Sequence, residues 1–189
     1  MARVRLNEPA DVIESHRWLA ERLAARDGYL NIFRAMSHAP EAMLRFMRFG
    51  SHLLEDGKLD PALRELAILR TGWLTRSPYE FSQHIAFGRR AGLNDEQIRA
   101  IAEPDAPGAP FDDRQRAVIA YAGSLTSGAS VSDDVFEAVG YFLDGEQLVE
   151  LTMVVGFYNM VARILNALDV DLDEPAARDL AALGVDPRR

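Results

Sequence analysis

The chain has 189 residues, 48% of them hydrophobic and 26% charged, which is typical of one globular domain with an internal core. Its 29 acidic and 21 basic side chains give a net charge of -8. The basic residues do not cluster, so we expect no nucleic-acid partner. The sequence contains no cysteine, which excludes disulfides, thiolate nucleophiles and dithiol redox centres.

No apolar run approaches the roughly 20 residues of a membrane helix. The first residues carry no signal-peptide pattern. We therefore expect no membrane partner and a cytoplasmic location.

Helix-start signals and helical periodicity follow one another along the chain, with little strand signal between them. The predicted helices begin near Pro9, Pro40, Pro61, Pro78, Asn94, Asp112, Ser132 and Asp144. The first ends at Asp27-Gly28, and the last runs to about Leu168. Residues 104–110 hold three prolines and a glycine and form a loop. Because neither half could bury a core alone, the sequence predicts a single all-α domain over residues 1–189.

The helix predicted at Pro78 carries the strongest chemical signal. Glu80 and His84 stand four residues apart and share a helix face. A carboxylate beside an imidazole raises its pKa and fixes its tautomer, which suits proton transfer near neutral pH. Glu80 also has capping-box spacing from Ser77 and could serve only as a helix cap, with His84 in a solvated surface pair. Both interpretations stay open.

The long helix from Asp144 is apolar around most of its girth, which is typical of a central helix or a subunit interface. Asn159, Arg163 and Asn166 form a polar stripe on it. A buried polar group without a partner costs about 1–3 kcal/mol, so these side chains need partners. Arg163 either pairs with an acid or caps carbonyls, or it anchors a substrate carboxylate.

The other histidines, His16, His38 and His52, stand singly, and no metalloprotease, P-loop or dinucleotide-binding motif occurs. Glu65, Glu80 and His84 are metal-ligand types, but we predict no metal and no cofactor.

Five segments together resemble the carboxymuconolactone decarboxylase / alkylhydroperoxidase D-like family. They are FRAMSHAP (33–40), LDPALRELAILR (59–70), YEFSQH (79–84), AGLNDEQI (91–98) and YNMVARILNAL (158–168). The resemblance implies an alkylhydroperoxidase D-like helical bundle that assembles as a homotrimer or homohexamer. It also implies a family-like core over residues 30–170, an N-terminal helical extension over 1–29, and a C-terminal tail or surface helix over 171–189.

In the peroxidase branch of that family the motif is Glu, Cys twelve residues on, Cys three further and His four further. The same spacing here falls on Glu65, Ser77, Glu80 and His84. A hydroxyl and a carboxylate cannot carry out thiol–disulfide exchange. Peroxidase activity by a cysteine pair is therefore excluded, and the resemblance points to the cysteine-free, decarboxylase-like branch.

That branch implies a cofactor-free lyase or isomerase acting on a small carboxylated lactone or related acid, in aromatic-acid catabolism. We expect His84 to be the general acid and Glu80 or Glu65 to orient it. Substrate-binding residues are expected among the side chains of Arg70, Tyr79, Asn159 and Arg163. The lyase interpretation predicts a pocket with Glu65, Glu80 and His84 facing inward.

Two alternatives remain beside the lyase. A non-catalytic oligomeric accessory protein of the same fold predicts Glu80 bound to the Ser77 backbone and no cavity at His84. An alkylhydroperoxidase-type antioxidant protein has the cysteine count against it.

Overall fold

The fold is a bundle of antiparallel helices, seen in a computed structural model that describes residues 2–26 and 28–188. These residues contain ten α-helices and no strand. The helices are α1 (Glu14–Ala24), α2 (Asn31–Met36), α3 (Pro40–Ser51), α4 (Pro61–Leu74), α5 (Pro78–Arg90), α6 (Asp95–Ala100), α7 (Asp113–Gly128), α8 (Asp133–Gly140), α9 (Gly145–Leu168) and α10 (Glu174–Leu183). The predicted all-α fold class is confirmed.

Local side-chain capping marks the start of four of the ten described helices, α4, α6, α7 and α9. The Asp60 carboxylate accepts from the backbone N–H groups of Ala62 and Leu63 at the start of α4. Reciprocal capping boxes open α6, α7 and α9, where Asn94, Asp112 and Asp144 cap the helix and a glutamine at the third position reaches back.

The N-terminal region differs from the prediction. A single helix was expected from Pro9, but the chain forms a 3₁₀ turn at Pro9–Asp11 and starts α1 at Glu14. Val12 and Ile13, which connect the 3₁₀ turn to α1, are not helical and have ψ angles of 139° and 144°. Asp27, where we expected that helix to end, lies outside the described residues. The helix α2 and the π-helical turn at His52–Asp56 were not predicted.

α4 lies at the centre of the bundle and packs against α5, α7 and α9. Its residues Leu66, Ala67, Ile68 and Leu69 are fully buried. The main core cluster includes residues on both sides of the loop at 104–110, such as Ile85 and Ile119. Residues from the two halves of the chain therefore pack together in this cluster.

α9 is long and apolar enough, by length and composition alone, to be a candidate membrane span. The expectation that no apolar run approaches that length was therefore too strict. In the fold, α9 packs on α4, α5, α7 and α8 and buries Leu151, Val155 and Leu165, as the core helix of a globular bundle does.

Candidate active site

The α4–α5 hairpin sets the geometry of the site. Only residues 75–77 connect the two helices, and Arg76 takes a left-handed conformation (φ 52°) within that connection. Gly72 lets the helices approach closely, since a Cβ atom there would lie 3.2 Å from the backbone nitrogen of Phe81. The tight hairpin brings Glu65 of α4 opposite His84 of α5.

His84 lies between two carboxylates. Its Nδ1 is 2.7 Å from Oε2 of Glu65, and its Nε2 is 3.1 Å from Oε1 of Glu80. All three residues are buried, with exposed fractions of 5% for His84, 0% for Glu65 and 3% for Glu80. The predicted Glu80–His84 pair thus forms inside the protein, and Glu65 completes it from the other side of the ring.

This arrangement favours the imidazolium. Burial by itself lowers the pKa of His84, but the charge and hydrogen bond of Glu65, followed by those of Glu80, outweigh burial and raise that pKa to about 9. Ionised carboxylates only accept hydrogen bonds, so both contacts are satisfied when both ring nitrogens carry protons. His84 is therefore held in its protonated form at neutral pH.

Arg64 balances the second carboxylate. Its Nε lies 3.3 Å from Oε1 of Glu65, and both side chains are buried. With Glu65 and Glu80 ionised, the two cations Arg64 and His84 make the cluster neutral. Buried ionic groups are tolerated when they are paired in this way.

A cavity of about 160 Å³ opens beside His84 and Glu80. Its wall is formed by α2, α3, α5 and α9 and is mostly aromatic and aliphatic. The lining residues are Leu30, Ile32, Phe33, Phe46, Met47, Gly50, Ser51, Leu54, Tyr79, Glu80, Gln83, His84, Phe87, Phe157, Tyr158 and Val161. Within the described part of the chain, no arginine or lysine lines it. The cavity thus offers an apolar chamber with one acid–base pair in its wall.

The predicted capping box at Ser77 does not form. The Ser77 side chain makes no cap hydrogen bond, and its fully buried Oγ has no partner among residues 2–26 and 28–188. Glu80 turns to His84 instead, because a cationic imidazole is a stronger partner for a carboxylate than a backbone N–H. The interpretation of Glu80 as only a helix cap is wrong.

Arg70 does not reach the cavity. Its Nη1 donates to the carbonyl oxygens of Ile101 (2.7 Å) and Ala102 (3.3 Å), and the side chain lies in a separate depression with Asp105 and Arg116. Arg70 therefore holds the chain after α6, because its position on α4 points away from α5. The expectation that it anchors a substrate beside His84 is not met.

Asn159 and Arg163 also lie away from the cavity. Asn159 Nδ2 donates to Thr126 Oγ1 (3.0 Å) and to the Val155 carbonyl (2.9 Å). Arg163 is exposed and its Nη1 donates to the Asn159 carbonyl at 2.9 Å. Of the two interpretations of Arg163, the geometry favours carbonyl capping, because Arg163 is exposed and does not line the cavity.

Tyr79 lines the cavity with its ring, but its hydroxyl is already used. It accepts from the Ile32 backbone N–H at 3.1 Å and donates to the Asp173 carboxylate. Gln83 Nε2 donates to the same carboxylate at 2.9 Å. Tyr79 therefore ties α2 and the segment before α10 to α5, and its contribution to the cavity is an apolar wall.

The sequence did not single out Tyr158 or Phe87 as site residues. The Tyr158 ring stands edge-on to the His84 ring, with centroids 4.8 Å apart at 85°, and the Phe87 ring stacks on it at 5.1 Å. Tyr158 begins a segment of family resemblance, which was the available signal. An aromatic residue on an apolar helix is more readily interpreted as core.

The described residues contain no group of three or more His, Cys, Asp and Glu side chains placed to hold a metal ion. Glu65 and Glu80 each bind one ring nitrogen of His84 through a carboxylate oxygen. A metal ion at this position would need those same oxygens. The absence of a metal and of a cofactor remains a prediction.

Comparisons with known proteins find one family model that spans the site. Residues 40–123, which include Glu65, Glu80 and His84, match the carboxymuconolactone decarboxylase family model. No curated protein sequence matches the chain.

Several solved structures share the fold. An uncharacterized peroxidase-related protein from Ralstonia eutropha JMP134, described as an alkylhydroperoxidase AhpD core, is 20% identical with a TM-score of 0.80, covering 100% of this chain and 97% of that one. A peroxidase-related protein from Silicibacter sp. TM1040 is 18% identical (TM-score 0.79, 93% of both chains). The debrominase Bmp8, as a cysteine-to-alanine variant in complex with 2,3,4-tribromopyrrole, is 15% identical (TM-score 0.74, 96% of both chains). At these identities the likeness establishes the fold.

Proposed function

We propose, from the match of residues 40–123 to the carboxymuconolactone decarboxylase family model, that this chain is a member of that family and a cofactor-free lyase or isomerase whose proton donor is His84. The observation that carries the proposal is the buried imidazole held by Glu65 and Glu80 at the wall of an apolar cavity. A histidine desolvated between two carboxylates and facing a cavity is a typical catalytic arrangement.

The roles follow from position. Glu80 and His84 both line the cavity, so the proton on Nε2 is the one within reach of a substrate. Glu65 holds Nδ1 from the side away from the cavity and keeps the ring oriented. We assign proton transfer to His84, proton exchange with the exterior to Glu80, and orientation to Glu65.

A lyase step balances with these groups. The bond between a substrate carbon and its carboxylate breaks, carbon dioxide leaves, and the electron pair passes into the unsaturated ring. His84 then gives its Nε2 proton to the carbon that carries the pair, and a proton from water restores the imidazolium, relayed by the Glu80 carboxylate. In an isomerisation the same pair takes a proton from one carbon and returns it to another.

The residues that line the cavity limit the kind of substrate that it can bind. The sequence-based expectation was a carboxylated lactone anchored by arginine, but Arg70 and Arg163 lie elsewhere. His84 is the one cation that the described lining residues present to the cavity. We therefore propose a small, largely apolar ring compound with a single acidic group beside His84. The tribromopyrrole bound by the similarly folded debrominase is also a small apolar ring.

The accessory alternative receives less support. It predicted Glu80 bound to the Ser77 backbone and no cavity at His84, whereas Glu80 contacts His84 and a cavity adjoins both. The antioxidant alternative needs a redox cysteine pair, and the sequence contains no cysteine.

Turnover tests the function. Small carboxylated lactones, ring-cleavage acids and single-ring acids would be offered to the wild type and to His84→Gln, with loss of substrate and release of carbon dioxide followed. We expect at least one to be turned over by the wild type and turnover to fall by about 100-fold or more in His84→Gln. Equal turnover in both proteins would remove His84 from the mechanism.

We also propose that the protein assembles as a homotrimer or homohexamer in the cytoplasm. Apolar side chains are exposed along α9, at Val149, Met153 and Met160, and Tyr141 nearby is 94% exposed. Such a surface suits contact with another copy of the chain. Light scattering after size exclusion would give the mass, and a monomer at micromolar concentration would contradict the assembly.

A further inference from the structure

Tyr158 places a hydroxyl in the cavity wall that the protein does not use. The residue is 4% exposed and lines the cavity beside His84 and Glu80. Across the described ranges, its hydroxyl has no hydrogen-bond partner. The hydroxyl is not fully enclosed by the fold, so a molecule in the cavity that the residue lines can supply its hydrogen-bond partner.

Two other buried tyrosines show the contrast. The Tyr79 hydroxyl binds Asp173 and the Ile32 backbone, and the Tyr121 hydroxyl lies 2.7 Å from Thr152 Oγ1. Both are satisfied within the fold. Tyr158 differs from them in that its hydroxyl stands at the apolar chamber next to the proton donor.

We propose that Tyr158 donates a hydrogen bond to an oxygen of the substrate and so fixes the ring beside His84. This inference rests on the proposed function and names the feature that the substrate must carry: a carbonyl, enolate or phenolate-type oxygen on a small ring. The oxygen accepts from the Tyr158 hydroxyl beside the His84–Glu80 pair, and the apolar remainder contacts the phenylalanine rings.

The protonation state of the phenol supports this role. Burial, followed by the charges of Glu80 and Glu65, raises the pKa of Tyr158 well above its usual value. The hydroxyl therefore keeps its proton across the range in which His84 acts. A neutral phenol beside an imidazolium stabilises negative charge on a substrate oxygen, as an oxyanion hole does.

4-Nitrophenol serves as the probe, because it is a single ring with one ionisable oxygen and its phenolate absorbs visible light. Spectrophotometric titration across pH would give its affinity and its pKa when bound. We expect the wild type to bind it and to lower its pKa. Tyr158→Phe should weaken phenolate binding by about 10-fold and reverse part of that pKa change.

Tyr121→Phe is the matched control, because it removes a buried tyrosine hydroxyl outside the cavity. It should leave the affinity and the bound pKa of the probe unchanged. Thermal unfolding of both variants would check that each is folded, and Tyr158→Phe should keep the stability of the wild type because it removes no hydrogen bond within the fold.

His84→Gln separates this inference from the proposed function. A bound pKa that moves in His84→Gln but not in Tyr158→Phe would overturn the role of Tyr158 and leave His84 in place. A bound pKa that moves in Tyr158→Phe but not in His84→Gln would retain the Tyr158 contact and count against the proposed function. Failure of the wild type to bind the probe at millimolar concentration would overturn the inference.

Discussion

Two polar pairs in this chain have the same spacing on apolar helices and very different surroundings. Glu80 and His84 on α5 are buried and are joined by Glu65 from α4. Asn159 and Arg163 on α9 bond to each other and to their own helix, and Asn159 also donates to Thr126 of α7, but Arg163 stays exposed. A four-residue spacing therefore says little about function until a neighbouring helix either closes over the pair or leaves it open to water.

The largest expected effect comes from removing Glu65 from the buried cluster. Glu65→Gln leaves His84 with one carboxylate and Arg64 without its partner, so the free energy of unfolding should fall by about 3–5 kcal/mol. Urea unfolding measures this change. Glu174→Gln, which alters a carboxylate at an exposed pair with Arg178, is the matched control and should leave the midpoint unchanged. Equal changes of the urea midpoint in Glu65→Gln and Glu174→Gln would contradict the expected difference between the buried and the exposed ion pair.

The buried pair should also make stability depend on pH. The pKa of His84 is raised from an ordinary value of 6.5 to about 9 in the folded state. The stabilisation is fully present below the unfolded value and is lost as pH rises through the folded one, a decrease of about 3 kcal/mol. Urea midpoints compared between about pH 6 and pH 10 should fall more steeply for the wild type than for His84→Gln. Parallel slopes would mean that His84 is neutral in the folded protein.

Replacing Ser77 should change the free energy of unfolding less than the variants above, and not in the direction that the loss of an N-cap usually gives. Replacing a serine N-cap by alanine ordinarily costs about 1 kcal/mol. Here the Ser77 hydroxyl is buried without a partner in the described structure and makes no cap hydrogen bond. Ser77→Ala should therefore leave stability unchanged or raise it by about 1 kcal/mol.

Asp112→Ala provides the contrast for Ser77, since Asp112 does cap the N–H of Gln115 at 2.8 Å. That variant should lose about 1 kcal/mol by thermal or urea unfolding. A similar loss in Ser77→Ala would show that Ser77 does cap α5 and that Glu80 is shared with it.

The smallest effect is expected at the exposed pair. Arg163→Gln removes hydrogen bonds within one turn of α9 and should change the free energy of unfolding by less than about 0.5 kcal/mol. Urea unfolding at low protein concentration measures it. A loss of 2 kcal/mol or more, on the order of that for a buried charge, would place Arg163 in an interface rather than in water.

The features that the sequence predicts correctly depend on interactions between residues that are close together in the chain. The helix starts at Asp60, Asn94, Asp112 and Asp144 depend on side chains within three residues of the capped N–H groups, so the pattern is visible in the sequence. The i,i+4 meeting of Glu80 with His84 is local in the same sense.

The sequence did not predict the contacts that depend on residues distant in the chain. Glu80 leaves the Ser77 cap because a third group, Glu65, makes His84 cationic, and only the packed hairpin brings them together. Arg70 and Arg163 were candidates by residue type, but their direction around the helix axis depends on packing. Tyr158 was not predicted as a site residue, because the sequence does not show whether its hydroxyl has a hydrogen-bond partner in the fold.

The protonation state of His84 tests the central claim most directly. With ¹⁵N-labelled histidine, the ring nitrogens would be followed by NMR from about pH 6 to pH 10, and the signals of His84 assigned by their loss in His84→Gln. The account predicts that both nitrogens carry protons at neutral pH and that they titrate near 9. A neutral ring at pH 7, titrating near its ordinary value, would contradict it and remove the proton donor from the cavity.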